Sequence, residues 1–509
     1  MKHIRFLYGL FFTLFFLSCT ELDEEFRSEL DQNSSASITP AQLLVSAYNS
    51  LYGPVTHQGD LWSASEISSD EAIAPTRGPD WDDNGLWRAL HLQSWNADHQ
   101  FLSNAFTNLL AAQFAASNVL QFNPSAQQAA EARFIRALSM YYVMDGWDQV
   151  PYREDLSNYK ILPVTLKGNE VSDFVIAELT EIMGTLPATG PAYTANQNAA
   201  RALMMKIYLN KGVYANRTAP TFPAEDMNQV ITLADQIIGS GNYSLTPRYF
   251  DNFTPDNHLK STENIFTLYN QNGDRGGNVA ASTFSISHYN MNPGGWNGFS
   301  TLSEFYDKFE ASDERRGLYF TYPASLPNPG NRQNVGFLIG QQYNLTTDAA
   351  LNDRKGSPLI FTREVALRET GNNLEVTGIR PLKYAYDYPH KDAQQDNDWV
   401  IFRLGDVLLM KAEALLQTNN AAAALVIVNQ VRADRGATPL AAVDLDDLYD
   451  ERGRELWWEG WRRQDQIRFG TWLQAWHDKP ASTDAQRLFP IPNSQLAVNP
   501  NLTQNPGYN

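Results

Sequence analysis

Two stretches of this chain set flat aromatic rings beside short polar side chains. "SSDEAIAPTRGPDWDDNGLW" (68–87) carries Asp70, Arg77, Trp81, Asp82 and Trp87 in a loop-like context, and "HYNMNPGGWNGF" (288–299) carries Trp296, Asn297 and Phe299 among glycines. A pyranose or furanose ring has an apolar face of C–H groups and a rim of hydroxyls, so a site for it stacks an indole on the face and aims Asp, Asn, Gln or Arg at the rim. Glycines next to Trp296 let the backbone turn and leave the ring uncovered. The same rings could instead fill a core. Arg380 and Lys383 in "GIRPLKYAYDYP" are further donors, either to hydroxyls or to surface partners.

Other constellations imitate catalysis or metal binding. "DWDDNG" begins like a calcium loop with Asp80, Asp82, Asn84 and Gly85, but the twelfth position is His91 rather than Glu, so the EF-hand reading fails and an irregular calcium site stays open. In "ELWWEGWRR", Glu455 and Glu459 stand one helical turn apart. Glycosidase carboxylates face each other across a bond from separate elements, whereas carboxylates beside Arg454, Arg462 and Arg463 make a structural ion network. The chain has no HExxH, GxSxG or P-loop motif. No catalytic residue, cofactor or dedicated metal site is called for.

Cys19 is the only cysteine in 509 residues. It has no disulfide or CxxC partner, and Glu21, Asp23, Glu24 and Glu25 beside it would raise its pKa rather than activate it. Lys2 and Arg5 precede an apolar run, Phe6 to Leu17, whose twelve residues reach only ~18 Å as a helix, too short for a hydrocarbon core and right for a cleavable signal. Leu17-Ser18-Cys19 resembles a bacterial lipobox, which would make Cys19 a lipid anchor. Residues 1–18 then read as signal peptide and 19–37 as an acidic tether. Losing Lys2 and Arg5 moves the formal charge from −18 to −20, a balance that argues against nucleic acid as a ligand.

The elements that must position these residues are mostly helical. Thr39-Pro40 starts a helix with Leu43, Ala47 and Leu51 on one face. Helical stretches follow at 99–122 and 125–147, the latter clustering Phe134, Leu138, Tyr141 and Tyr142 before Gly146 and Pro151 end it. Two helix pairs come next. In one, Ala200, Leu203, Ile207 and Tyr214 face Val230, Leu233 and Ile237; in the other, Leu404, Leu408, Ala412 and Leu415 face Ala421, Leu425 and Val428. Such pairs resemble tetratricopeptide units, which bury their faces by stacking. Between about 240 and 399, Asn, Gly, Pro and aromatics rise, with only short strand-like runs such as "NIFTLY" (264–269). We expect a mainly α single domain over 38–509, with a helical scaffold at about 38–239 and 400–475 and a long irregular insertion that builds the binding surface.

"ARFIRALSMYYVMDGWDQVPY", "RALMMKIYLNKGVY", "FRLGDVLLMKAEALLQ", "ERGRELWWEGWRRQDQIRFG" and the ending "RLFPIPNSQLAVNPNLTQNPGY" resemble, in order, the hallmark segments of the SusD/RagB family of Bacteroidetes outer-surface glycan-binding lipoproteins. The sequence departs where Gln464 and Gln466 flank Asp465, positions at which the family usually has an aromatic and a leucine. The resemblance implies a tetratricopeptide-like fold, anchorage at the outer membrane facing the cell surface, and partnership with a SusC-like TonB-dependent transporter for oligosaccharide import, without enzyme activity. It also makes Trp81 and Trp296 the first choices for a glycan platform, with Asp70, Arg77, Asn297 and Arg380 as polar contributors. The paucity of basic patches favours a neutral glycan such as a β-glucan or fructan. The competing readings are a surface glycoside hydrolase or lyase, and a transporter lid for peptide cargo.

Overall fold

The scaffold is laid down by helices whose ends are written in the sequence. In a computed structural model that describes residues 38–508, apart from 154–155, 159, 277–278, 319–332 and 391–393, helix α1 runs Pro40–Asn49 and α2 Leu61–Ile67. Asp60 caps α2 by accepting the Leu61 N–H. Helix α3 (Gln100–Val119) is followed by α4 (Ala126–Trp147), which starts with a capping box between Ser125 and Gln128. Asp148, at φ +66°, ends α4. Then come α5 (Asn169–Ile182), α6 (Gln197–Ala215, capped by Asn196) and α7 (Ala224–Gly239). After the insertion, α8 (Leu404–Gln417), α9 (Ala421–Asp434), α10 (Leu445–Leu456) and α11 (Arg462–Arg468) complete the scaffold. The anchor and tether expected at 1–37 lie outside the described residues.

Helices pack as neighbours in sequence: α3 on α4, α6 on α7 and α8 on α9, with α7 against α8 joining the last two pairs across the insertion. The stripes expected on α6, α7 and α8 are buried. On α9 the buried stripe is instead Ala424, Val428 and Val431; Ala421 is exposed and Leu425 only half covered. Val428 is common to both stripes, and the helix is turned by only about 60° from its expected facing. Gly212 shows why small residues matter here, since a Cβ on it would fall 1.6 Å from the Thr221 carbonyl oxygen. Residues Pro40–Asn509 form one compact unit. No helix among the described residues is long and apolar enough to cross a membrane.

The region after α7 contributes short strands rather than a sheet-forming domain. Asn264–Leu268 pairs antiparallel with Trp399–Arg403, which delivers the chain directly into α8. Gly317–Leu318, Val335–Leu338 and Arg380–Leu382 form a three-stranded antiparallel sheet. Two pairings tie this region to the N-terminal part: Ala72–Ile73 with Ser300–Thr301, and Thr76–Arg77 with Arg368–Glu369. The two aromatic stretches are thereby fixed side by side although more than two hundred residues separate them.

Candidate functional site

Trp81 has a left-handed backbone, φ +59°, unusual for so bulky a residue and held only where the surroundings over-determine it. What holds it is visible. Its Nε1 donates to the Trp296 carbonyl at 2.8 Å, and its ring lies on Gly298, where a Cβ would fall 2.2 Å from Cζ2. The ring also meets Trp87 and Phe299, centroids 5.4 and 5.1 Å away. Trp81 is half-buried, so one part of the indole wedges the two stretches together and the rest faces out.

Trp296 is 43% exposed. Its N–H donates to the Phe284 carbonyl and its ring rests against Phe284 at 5.7 Å. Tyr289, from the same stretch, donates to Asp80 Oδ2 at 2.7 Å, and the Arg354 guanidinium caps its ring at 3.8 Å. Arg354 bonds Glu375 at 2.6 Å, and Glu375 meets His288 Nε2 at 2.9 Å. Burial opposes ionisation of Glu375, yet the Arg354 and His288 bonds hold its carboxyl below the usual range. Burial lowers His288 despite Glu375 beside it, and burial together with Asp80 pushes the Tyr289 phenol up to about 12. The result is an open indole, a half-open indole and a capped phenol, rimmed by charged groups that are already paired, Arg354 standing between Asp80 and Glu375. Tyr289 sits inside a stretch the sequence reading quoted but did not select. Arg354 and Glu375 carried no sequence signal, because only long-range folding brings them here.

The other proposed polar contributors lie beneath this surface or away from it. Arg77 is 3% exposed; it donates to the Asn297 and Gly298 carbonyls, to both Oγ1 and carbonyl of Thr377, and to Ser300. Arg380 is fully buried and donates to Asn297 Oδ1, Ser300 Oγ and the carbonyls of Glu375, Thr377 and Gly378. Among the described residues neither meets a carboxylate directly. Burial lowers both guanidiniums, Arg77 to about 10 and Arg380 well below its ordinary value. Asn297, itself at φ +55° and fully buried, spends its amide nitrogen on the Glu375 carbonyl. These three residues therefore frame the Trp296 stretch from below and cannot reach a surface ligand. Asp70 is likewise corrected: Arg462 holds both of its oxygens, at 2.7 and 2.8 Å. Lys383 is buried against Glu459, Tyr249 and the Trp457 carbonyl, not at a surface.

The Glu455–Glu459 pair is indeed part of an ion network, though with other partners than its sequence neighbours. Helix α10 ends at Leu456, and Trp458 at φ +64° reverses the chain, so the two glutamates do not share a helical turn. Both reach Arg403, and Glu455 also binds Arg315 and Arg435. Burial opposes ionisation, but Arg435, Arg403 and Arg315 hold Glu455 well below the usual range. At the imitation calcium loop, Asp82 pairs with Arg88 and Asp83 accepts from Trp87 Nε1. Among the described residues the one trio with metal-ligand spacing is Asp387, His390 and Asp396. The bond to Asp387 raises the His390 pKa, and the imidazole Nδ1 lies 2.9 Å from Asp387 and 3.4 Å from Asp396.

A helical scaffold of stacked pairs, with an inserted region that exposes aromatic rings at its surface, defines a class of proteins recognisable by comparison. The SusD family model matches residues 233–483. The starch-binding protein SusD of Bacteroides thetaiotaomicron is 27% identical over 424 residues, covering 75% of this chain and 73% of that protein. A SusD superfamily protein from Parabacteroides distasonis superposes with a TM-score of 0.69 at 19% identity, covering 94% of this chain and all of that one. Surface glycan-binding protein A from B. thetaiotaomicron, in complex with laminarihexaose, gives 0.66 at 18% identity over 92% of this chain and 98% of that one. Residues 233–483 thus match the SusD/RagB family that the sequence resembles, and the chain as a whole has the fold of SusD superfamily structures.

Proposed function

We propose that this protein is a lipid-anchored surface protein that binds a neutral oligo- or polysaccharide and passes it to a SusC-like TonB-dependent barrel in the outer membrane. The observation that carries the reading is the juxtaposition of exposed Trp296 with the strained Trp81, locked together by one hydrogen bond. A sugar ring laid on this pair buries C–H surface while its hydroxyls reach the rim. Arg354 is engaged by Glu375, and Arg77 and Arg380 lie under the surface, so no free cation among the described residues of the site awaits a uronate or sulfate. That favours a neutral polymer, with β-glucan first given the laminarihexaose held by a structural neighbour. Binding without hydrolysis is supported by Glu455, whose burial among three arginines leaves it no water or leaving group to act on.

The test is affinity electrophoresis and calorimetry of the mature protein against laminarin, starch, inulin and a pectin, beside Trp296→Ala. We expect retardation by a neutral glycan, at least tenfold weaker binding in the variant, equivalent to ~1.4 kcal/mol, and nearly unchanged Tm. Release of reducing ends over time, or indifference to all four polymers, would overturn the reading.

A further inference from the structure

A cleft of about 160 Å³ opens beside the aromatic site, walled by Asn292, Gln333, Gln341, Gln342, Tyr343 and Leu345 among others. At roughly 30 Å³ per water, it holds the volume of about five waters, the scale of one sugar residue rather than of a single ordered solvent molecule. Asn292 belongs to the stretch that carries Trp296. Four residues of chain span at most ~14 Å, so one short oligosaccharide reaches both places.

The chemistry of the walls selects its occupant. Among the described lining residues none is charged. The three glutamines have fixed orientations, because each amide nitrogen lies against two main-chain carbonyls. Gln333 donates to Arg316 and Phe337, Gln341 to Gln342 and Leu351, and Gln342 to Ile339 and Gly340. Both amide protons of each are thus spent, and what each has left is its carbonyl oxygen, an acceptor. Gln342 is only 7% exposed as a residue, and no described residue donates to its oxygen. Such a set wants a neutral ligand rich in O–H donors and repels carboxylate, sulfate and phosphate. Leu345 and the rings of Tyr343 and Tyr386 supply apolar wall for C–H faces.

We infer that this cleft is a second subsite, which takes one hydroxyl-rich, uncharged sugar residue of the same glycan that lies on Trp296. The inference rests on the proposed glycan-binding function. Because the amides are pinned by the backbone before binding, the subsite adds affinity with little ordering cost.

The experiment titrates laminaritriose and laminarihexaose, with the tri- and hexasaccharides of the malto- and inulin series in parallel, into wild type, Trp296→Ala and the cleft-filling Leu345→Trp. Hydrogen exchange across 338–345 is read with and without each hexasaccharide. Wild type should bind its preferred hexasaccharide about tenfold tighter than the matching trisaccharide. Leu345→Trp should erase that gain while keeping trisaccharide affinity, and the hexasaccharide alone should slow exchange in 338–345. Should Leu345→Trp fail to fold, Leu345→Phe and the wild-type exchange footprint give the same decision. Binding that Trp296→Ala removes but Leu345→Trp leaves intact, with no footprint, overturns the subsite alone. Absence of binding by any of the hexasaccharides overturns the parent reading and this one with it.

Discussion

Trp81 and Trp296 act as one unit because a main-chain carbonyl, a glycine and a hydrogen bond leave their arrangement no slack. This makes Gly298 a sharp probe. Gly298→Ala places a methyl group inside the Trp81 ring, which must leave its seat and release the Trp296 carbonyl. Glycan affinity should drop about as far as in Trp296→Ala, with a Tm loss of a few degrees; retained affinity would show that the Trp81 wedge is dispensable. The two indoles stood out in the sequence because large aromatics among glycines and short polar residues are unusual in a core. The roles of Asp70, Arg77, Asn297 and Arg380 were not legible. Each looked available to a ligand, yet each is engaged by partners that include residues distant in sequence, as when Arg77 bonds Thr377 and Asp70 bonds Arg462. Chain-local patterns carry no record of such contacts. The cleft glutamines were invisible for the same reason.

The helices were readable where apolar periodicity coincided with a capping residue, as at Ser125 and Asn196. Facing was less so: α9 is alanine-rich on several sides, and its contacts with α8 rather than its pattern decide which stripe goes in. The turn after α10 was missed because "ELWWEG" has no residue before Gly460 that announces a left-handed position, yet Trp458 adopts one. Close packing at this scale predicts a contrast between two glycines. Gly212→Ala forces α6 from the Thr221 carbonyl and should cost at least ~3 kcal/mol, at the upper end of overpacking effects. Gly184→Ala meets nothing within 4 Å and should leave the melting curve in place. Equal Tm values for the two variants would contradict the described α6 packing.

Across the whole molecule, buried carboxyls set a pH optimum on the acid side. Burial raises Asp60, Glu66 and Asp398 each to about 7, and burial with the neighbouring Glu66 raises Glu71 further. Over the interval from the ordinary carboxylate range to about pH 7, these groups hold protons in the folded chain that the unfolded chain has released, so stability is fully present below that interval and is lost as pH rises through it. Glu455 and Glu451, the latter held at about 2 by Arg315, Arg454 and Arg432 against the cost of burial, act oppositely: their contribution is present above about pH 4.5 and is lost in acid. Burial also lowers His57, His91, His99 and His288, and this opposes the carboxyls up to about pH 6.5, so Tm should decline from there toward pH 8. Glu66→Gln, which imitates the protonated acid, should raise Tm at pH 8 by a few degrees and change it little at pH 5. A wild-type profile that climbs steadily to pH 8 would refute this balance.

All twelve tryptophans fall within the described residues, and Trp296 is the only exposed one. The protein consequently carries its own optical reporter. Trp296 emits from a wet environment and is the indole most open to acrylamide, the half-buried Trp81 and Trp476 are less so, and the nine buried tryptophans contribute a drier, shielded background. A saccharide lying on the platform should shift the emission to shorter wavelength and protect it from the quencher, so occupancy can be followed in the purified protein without a label.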